Sequence, residues 1–219
     1  MSIFAILKPD EVEILNKDSR CITFRKGQLV FKEGSFPTGI YIINHGKVKV
    51  SRFGSDGKEQ IVRLAREGEI LGYRSLISGE ICQASATCLE NSSICVIGKE
   101  TLYRLFRMNE LLTRKFMELL ARDLRTAEDK ITILAQNSVR ERLAQSLLML
   151  RGTYGLESDG KTIGIILSRE EIANIVGTAT ETVIRLLSDF KKDGLIGFSG
   201  KTIQLLRPEE LVRISNVAV

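Results

Sequence analysis

The chain has 219 residues, 43% of them hydrophobic and 27% charged, an ordinary globular mix that excludes a fibre or a disordered tail and leaves room for one large domain or two small ones. The net charge of +5 permits an acidic partner such as nucleic acid without demanding one, and placement matters more than bulk: residues 137–219 hold 11 Lys and Arg against 10 Asp and Glu, residues 1–136 hold 21 against 17. A single histidine, His45, speaks against imidazole metal sites and most histidine acid–base chemistry, and no apolar run approaches the roughly 20 residues of a membrane span, so a cytoplasmic, non-enzymatic protein with no membrane partner, no metal and no cofactor is expected.

From residue 22 to 97 the chain reads as short β segments separated by turns. Gln28–Lys32, Ile40–Ile43, Lys47–Arg52, Gln60–Leu64, Ala84–Cys88 and Ile94–Ile97 are rich in Ile, Val, Phe and Tyr. Between them stand Glu33-Gly34-Ser35, Asn44-His45-Gly46, Ser55-Asp56-Gly57, Glu67-Gly68 and Ser78-Gly79, which are turn chemistries. Many short strands at close spacing predict a sandwich or jelly-roll barrel, with His45 a solvated turn residue. Four cysteines, at positions 21, 82, 88 and 95, include no CxxC pair. They read as structural residues rather than a disulfide framework or zinc site, with a thiol redox switch as the alternative.

The period then changes. From Asn109 to Gln136 there is no Gly or Pro, and Met117, Leu120, Leu124, Ala127, Ile131 and Leu134 recur at spacings of 3 and 4. That pattern is a heptad seam, and a helix of about 40 Å at 1.5 Å per residue is longer than a small barrel can cover, so a second copy of the chain is the expected partner. A second helix is predicted over Ser138–Arg151, then a loop through Gly160 and a short apolar strand over Thr162–Leu167.

Ser168-Arg169-Glu170-Glu171 reads as a capping box opening one helix, and Thr178-Ala179-Thr180-Glu181 as another opening a second helix, with Gly177 between them. Ile172, Ala173 and Val176 on the first helix face Val183 and Leu186 on the second, which predicts a helix-turn-helix. On the second helix Val183, Leu186, Leu187 and Phe190 form the core stripe, and Glu181, Arg185, Ser188 and Lys192 lie opposite. Arg185 is suited to guanine O6/N7 and Glu181 to cytosine N4, with Thr180 and Ile184 beside them as further base-reading candidates. An ordinary helix pair between Glu181 and Arg185 is the plainer reading. Asp193-Gly194 stops the helix, and two short apolar runs flanking Ser199-Gly200 predict a β-hairpin wing. Thr178, Ser188, Lys191, Lys192, Ser199, Lys201 and Thr202 are the candidates for DNA phosphate.

On these motifs the chain resembles transcription regulators of the CRP/FNR superfamily. The likeness lies in Gly27-Gln28-Leu29-Val30-Phe31-Lys32-Glu33-Gly34, in Ile40 through Val50, in Gly68-Glu69-Ile70-Leu71-Gly72, and in Glu181-Thr182-Val183-Ile184-Arg185 with Leu195-Ile196 and Gly200-Lys201-Thr202-Ile203 behind. It implies an α+β chain: an N-terminal cyclic-nucleotide-binding-type jelly roll over residues 1–108, a dimerisation helix over 109–136, and a C-terminal winged helix-turn-helix over 137–219. It also implies a homodimer on palindromic double-stranded DNA with TGA-like half-sites, and RNA polymerase as a partner. The effector pocket would lie at Gly72, Tyr73, Arg74, Cys82 and Gln83. There the sequence departs from the cyclic-AMP branch, in which a glutamate follows the glycine and an Arg-Ser pair holds the phosphate. Here those places are Tyr73 and Cys82-Gln83, and no Lys or Arg occurs from Ser75 to Gly98, so a cyclic phosphate would be poorly compensated and the effector is left unidentified. The competing readings are a cyclic-nucleotide-binding module acting through protein partners, and a jelly-roll enzyme, which one histidine nearly removes.

Overall fold

Glycine turns and β-branched runs divide the first hundred residues into strands, and the computed structural model, which describes residues 3–215, arranges them in two four-stranded sheets. The strands are β1 (Ser19–Phe24), β2 (Leu29–Phe31), β3 (Gly39–His45), β4 (Lys47–Phe53), β5 (Glu59–Arg66), β6 (Ile70–Leu71), β7 (Ser85–Cys88) and β8 (Ser92–Gly98). One sheet runs β1-β8-β3-β6 and the other β2-β7-β4-β5, with antiparallel pairing throughout. Tyr41, Ile43, Leu71 and Ile94 from the first sheet meet Val48, Ala65, Ala86 and Cys88 from the second, which makes the barrel interior.

The first sheet is also covered on its other face. Helices α1 (Pro9–Asp18), α2 (Tyr73–Ser78), α3 (Lys99–Met108) and the start of α4 (Glu110–Gln136) bury Ile40, Ile70 and Ile97 with Leu102, Leu105, Leu112 and Phe116. Burial on both faces is why Ile40-Tyr41-Ile42-Ile43 is a continuous apolar run rather than an alternating one.

All six predicted strands form, with ends shifted by one to two residues in most cases. β1 was not predicted, because its residues 20–23 are all exposed and show no alternation. The expectation of four structural cysteines is corrected: Cys21 on β1 stands opposite Cys95 on β8 and the two are disulfide-bonded, while Cys82 and Cys88 are free and buried. The spacing rule missed this pair because strand register, not sequence distance, brings it together.

Residues 138–215 fold as helices α5 (Val139–Tyr154), α6 (Arg169–Val176), α7 (Thr180–Lys192) and α8 (Pro208–Ser215) with the hairpin β9 (Ile196–Ser199) and β10 (Thr202–Leu205). Ser138 caps α5 reciprocally with Glu141, and Leu143, Leu147 and Leu150 form its buried face. The strand expected over Thr162–Leu167 is not formed. That segment makes only isolated bridges, Leu156 with Ile163 and Thr162 with Gln204, and its apolar residues Ile163, Ile165 and Leu167 serve as core. The chain divides into two compact units, Met1–Ala127 and Glu128–Val219, with the division inside α4. No helix among the described residues is long and apolar enough to cross a membrane.

Candidate nucleic-acid interface

The two short helices of the C-terminal unit are set by their caps. Ser168 accepts from the Glu171 N–H at 3.0 Å while the Glu171 carboxylate accepts from the Ser168 N–H at 2.8 Å, as the capping box predicts. α6 ends at Gly177, whose φ of 73° and ψ of 54° lie in the left-handed region where a side chain is costly. The second predicted capping box does not form. α7 is capped at Ala179 with no side-chain bond, so Glu181 falls in the first turn one place earlier than expected, and the Thr178 N–H instead closes the α6 terminus on the Ala173 carbonyl at 3.2 Å. With its N–H spent on the close of α6, Thr178 has none to give the Glu181 carboxylate, so the reciprocal half of a capping box is not made.

Arg142 of α5, which the sequence did not single out, holds this turn. Its guanidinium donates to the Val176 carbonyl at 3.0 Å, the Gly177 carbonyl at 3.2 Å and the Asn137 carbonyl at 3.1 Å. The partners lie 34 and 35 residues away, so no local signal exposes the role.

On α7 Val183, Leu186, Leu187 and Phe190 are buried. Glu181, Ile184, Arg185, Ser188, Lys191 and Lys192 are exposed at spacings of three and four, one stripe along the helix, and Thr180 is half-buried at its start. Ile184 presents an apolar surface that is 51% exposed amid polar neighbours, the kind of group that meets a thymine methyl. Lys191 leans on the Phe198 ring at 5.7 Å, a ring also capped by Arg169 at 4.6 Å. Burial lowers the Arg169 pKa. At the wing tip Ser199 and Lys201 are exposed, while the Thr202 hydroxyl donates to the Ser199 carbonyl at 2.6 Å and braces the turn.

The effector-pocket candidates differ in exposure. Gly72 has φ of 78°, and a Cβ there would come within 2.9 Å of the Tyr41 ring, so glycine is required where β6 turns into α2. Tyr73 is buried and its ring packs edge-on to Phe116, 6.1 Å away. Cys82 is buried with its backbone paired to Gly34 and Ser35, whereas Arg74 and Gln83 are exposed. A cation does stand beside Tyr73, but it comes from β5 and not from Ser75–Gly98. Arg63 donates to the Tyr73 hydroxyl at 3.2 Å and to Glu69 at 2.9 Å, and the Tyr73 hydroxyl donates in turn to Asp123 of α4. Burial works against the Arg63 charge, yet Tyr73, Glu69 and Asp123 outweigh it and raise its pKa. Burial also pushes the Tyr73 hydroxyl up, opposed by Arg63 and reinforced by Asp123, so it stays a neutral donor. One guanidinium faces two carboxylates, a balance that does not favour a phosphate.

On α4, Leu112 and Phe116 are buried. Met117, Leu124, Ile131 and Leu134 are 58%, 62%, 67% and 45% exposed, and Ala127 is exposed with them. Leu120 alone of the six seam candidates packs partly on its own chain's core.

A jelly-roll unit and a winged helix-turn-helix on one chain define a two-module DNA-binding regulator. Residues 21–109 match the cyclic nucleotide-binding domain and residues 141–214 the Crp-like helix-turn-helix domain. The anaerobic regulatory protein of Bacillus subtilis is 32% identical over 90% of this chain and 85% of its own, and a CRP-like cAMP-activated global transcriptional regulator of Mycobacterium tuberculosis is 29% identical over 96% and 95%. The solved structure of FixK2 from Bradyrhizobium japonicum superposes with a TM-score of 0.81 at 27% identity, covering 92% of this chain and 99% of that one. The chain belongs to the CRP/FNR family of DNA-binding transcription regulators.

Proposed function

We propose that this regulator works in the cytoplasm as a homodimer that reads a twofold-symmetric site in double-stranded DNA. The observation that carries the proposal is the division of α7 into a fully buried apolar stripe and an exposed stripe of Glu181, Ile184, Arg185 and Ser188. Thr180 stands with these at the groove-entering end of the helix. Thr178, Ser188, Lys191, Lys192, Ser199, Lys201 and Thr202 supply phosphate contacts, which fix register rather than sequence. Residues 1–108 act as the effector domain, 109–136 as the dimerisation helix and 137–219 as the DNA-binding domain, and RNA polymerase is the further partner that family membership supports. Selection of bound sequences from random DNA should return a palindrome whose half-sites lie about one helical turn apart. Recovery of an asymmetric motif, or of none, would overturn the proposal.

The effector is not a cyclic nucleotide. Tyr73 fills the place of the ribose-binding acid, Cys82-Gln83 that of the phosphate-binding pair, and the nearby Arg63 is already engaged by Glu69 and Tyr73. Titration calorimetry with cyclic AMP and cyclic GMP should give no heat of binding at micromolar ligand. A tight stoichiometric isotherm with either would refute this reading of the pocket.

A further inference from the structure

Cys21 and Cys95 occupy directly opposed positions of the antiparallel β1–β8 ladder. Cβ atoms in such a pair lie about 4.5–5.5 Å apart in an ordinary ladder, near the roughly 3.8 Å a disulfide needs, and the bonded Cys21 and Cys95 stand 3.9 Å apart at Cα, so the bond draws two neighbouring strands together and its opening returns them to the spacing of an ordinary ladder. β1 is the edge of its sheet and Cys21 is exposed, which opens the bond to small reagents, whereas Cys82 and Cys88 are buried. The cytoplasm, the compartment proposed above and on which this inference rests, keeps thiols reduced, and disulfides that do form there are characteristically transient and redox-sensing.

We infer that Cys21 and Cys95 form a reversible dithiol–disulfide site whose reaction partners are low-molecular-weight disulfides of the glutathione type. The exposed Cys21 loses its proton and its thiolate attacks one sulfur of the small disulfide, forming a mixed disulfide and releasing one small thiolate, which takes up the proton. Cys95, deprotonated in turn, attacks the Cys21 sulfur and releases the second small thiol. Two protein thiols are oxidised and one small disulfide is reduced to two thiols; the reverse sequence restores the dithiol.

The bridge sits where it can stiffen the N-terminal unit. β1 begins directly after α1, and β8 runs directly into α3. The Thr101 hydroxyl donates to Asp18 at 3.0 Å, and the Asn109 side-chain amide donates to the buried Glu11 at 2.7 Å while its carbonyl oxygen accepts from the Leu112 N–H at the first turn of α4. Oxidation therefore ties covalently the two strands that deliver α1 and α3 to this joint, closing a loop across 74 residues and restricting the unfolded chain.

The full-length protein, equilibrated over a series of ratios of reduced to oxidised glutathione, alkylated and weighed after unfolding, should pass between four and two modifiable thiols within the series, with the lost pair mapping to Cys21 and Cys95. The oxidised form should melt at least about 4 °C above the reduced form, a shift absent from the Cys21→Ser, Cys95→Ser double variant. Four modifiable thiols at every ratio would overturn the inference, and so would a bond that survives excess reduced glutathione, since that marks a permanent cross-link. If the double variant fails to fold, the wild-type thiol count decides alone. Sequence selection run in parallel separates the two readings: a normal thiol transition in a protein that selects no DNA would sink the proposed function and leave the site standing.

Discussion

Replacing Arg185 with alanine should weaken binding to the selected DNA site by about 1–3 kcal/mol per half-site, which for a symmetric dimer is roughly 30-fold to 10⁴-fold, and should relax base preference at one symmetric position. Arg185 is exposed and lies away from Val183, Leu186, Leu187 and Phe190, so its truncation should change folding stability by no more than about 0.5 kcal/mol. Non-specific affinity should fall much less. Lys192→Ala makes the contrast: with the phosphate contact proposed for Lys192 removed, all sequences should weaken alike and the slope of log affinity against log salt should drop by about one unit per half-site. The measurement is the pair of selected motifs and salt titrations for wild type and each variant. An unchanged motif with unchanged affinity for Arg185→Ala would reduce Arg185 to a solvated charge partnering Glu181 along the helix.

That stripe was legible because a helix has one period, and burial follows it residue by residue from Val183 to Phe190. The strands were legible for a related reason: turn glycines punctuate them and Ile, Val and Tyr fill them. What escaped the sequence depends on contacts between distant segments. Arg142 reaches the turn at Val176 and Gly177, and Arg63, Tyr73 and Asp123 meet from three separate elements. Cys21 meets Cys95 only through strand register. The two misreadings have local causes. Thr178 has the right residue type for a capping box, but the N–H that Glu181 would accept is taken by the close of α6, and Thr162–Leu167 is apolar enough for a strand, yet its residues fill a core instead of a ladder.

The seam on α4 carries the other large effect. Met117, Leu124, Ile131 and Leu134 leave four large apolar side chains open on each chain, and burying such a side chain contributes about 1.5–3 kcal/mol. Two copies therefore bring at most about 12–24 kcal/mol of burial to a shared seam, less in proportion to the area each side chain already buries, which is of the same order as an association cost of about 4–15 kcal/mol. Lysine at Leu124 and Ile131 removes half of those groups and sets four like charges in the strip, and the lost burial and the repulsion both shift the balance toward the monomer. The double substitution Leu124→Lys, Ile131→Lys should sediment as a monomer at micromolar concentration, while Arg122→Ala, on the far side of the same helix, should stay dimeric. Both substituted positions are exposed in the single chain, so the monomer should keep its fold and its melting transition. A monomer engages one half-site at a time and loses the effective concentration that links the second binding event to the first, so affinity for the full palindrome should fall by about 10²-fold or more, with the half-site preference intact. An unchanged dimer in the double variant would take the seam out of the assembly and leave α4 without a role for its exposed leucines.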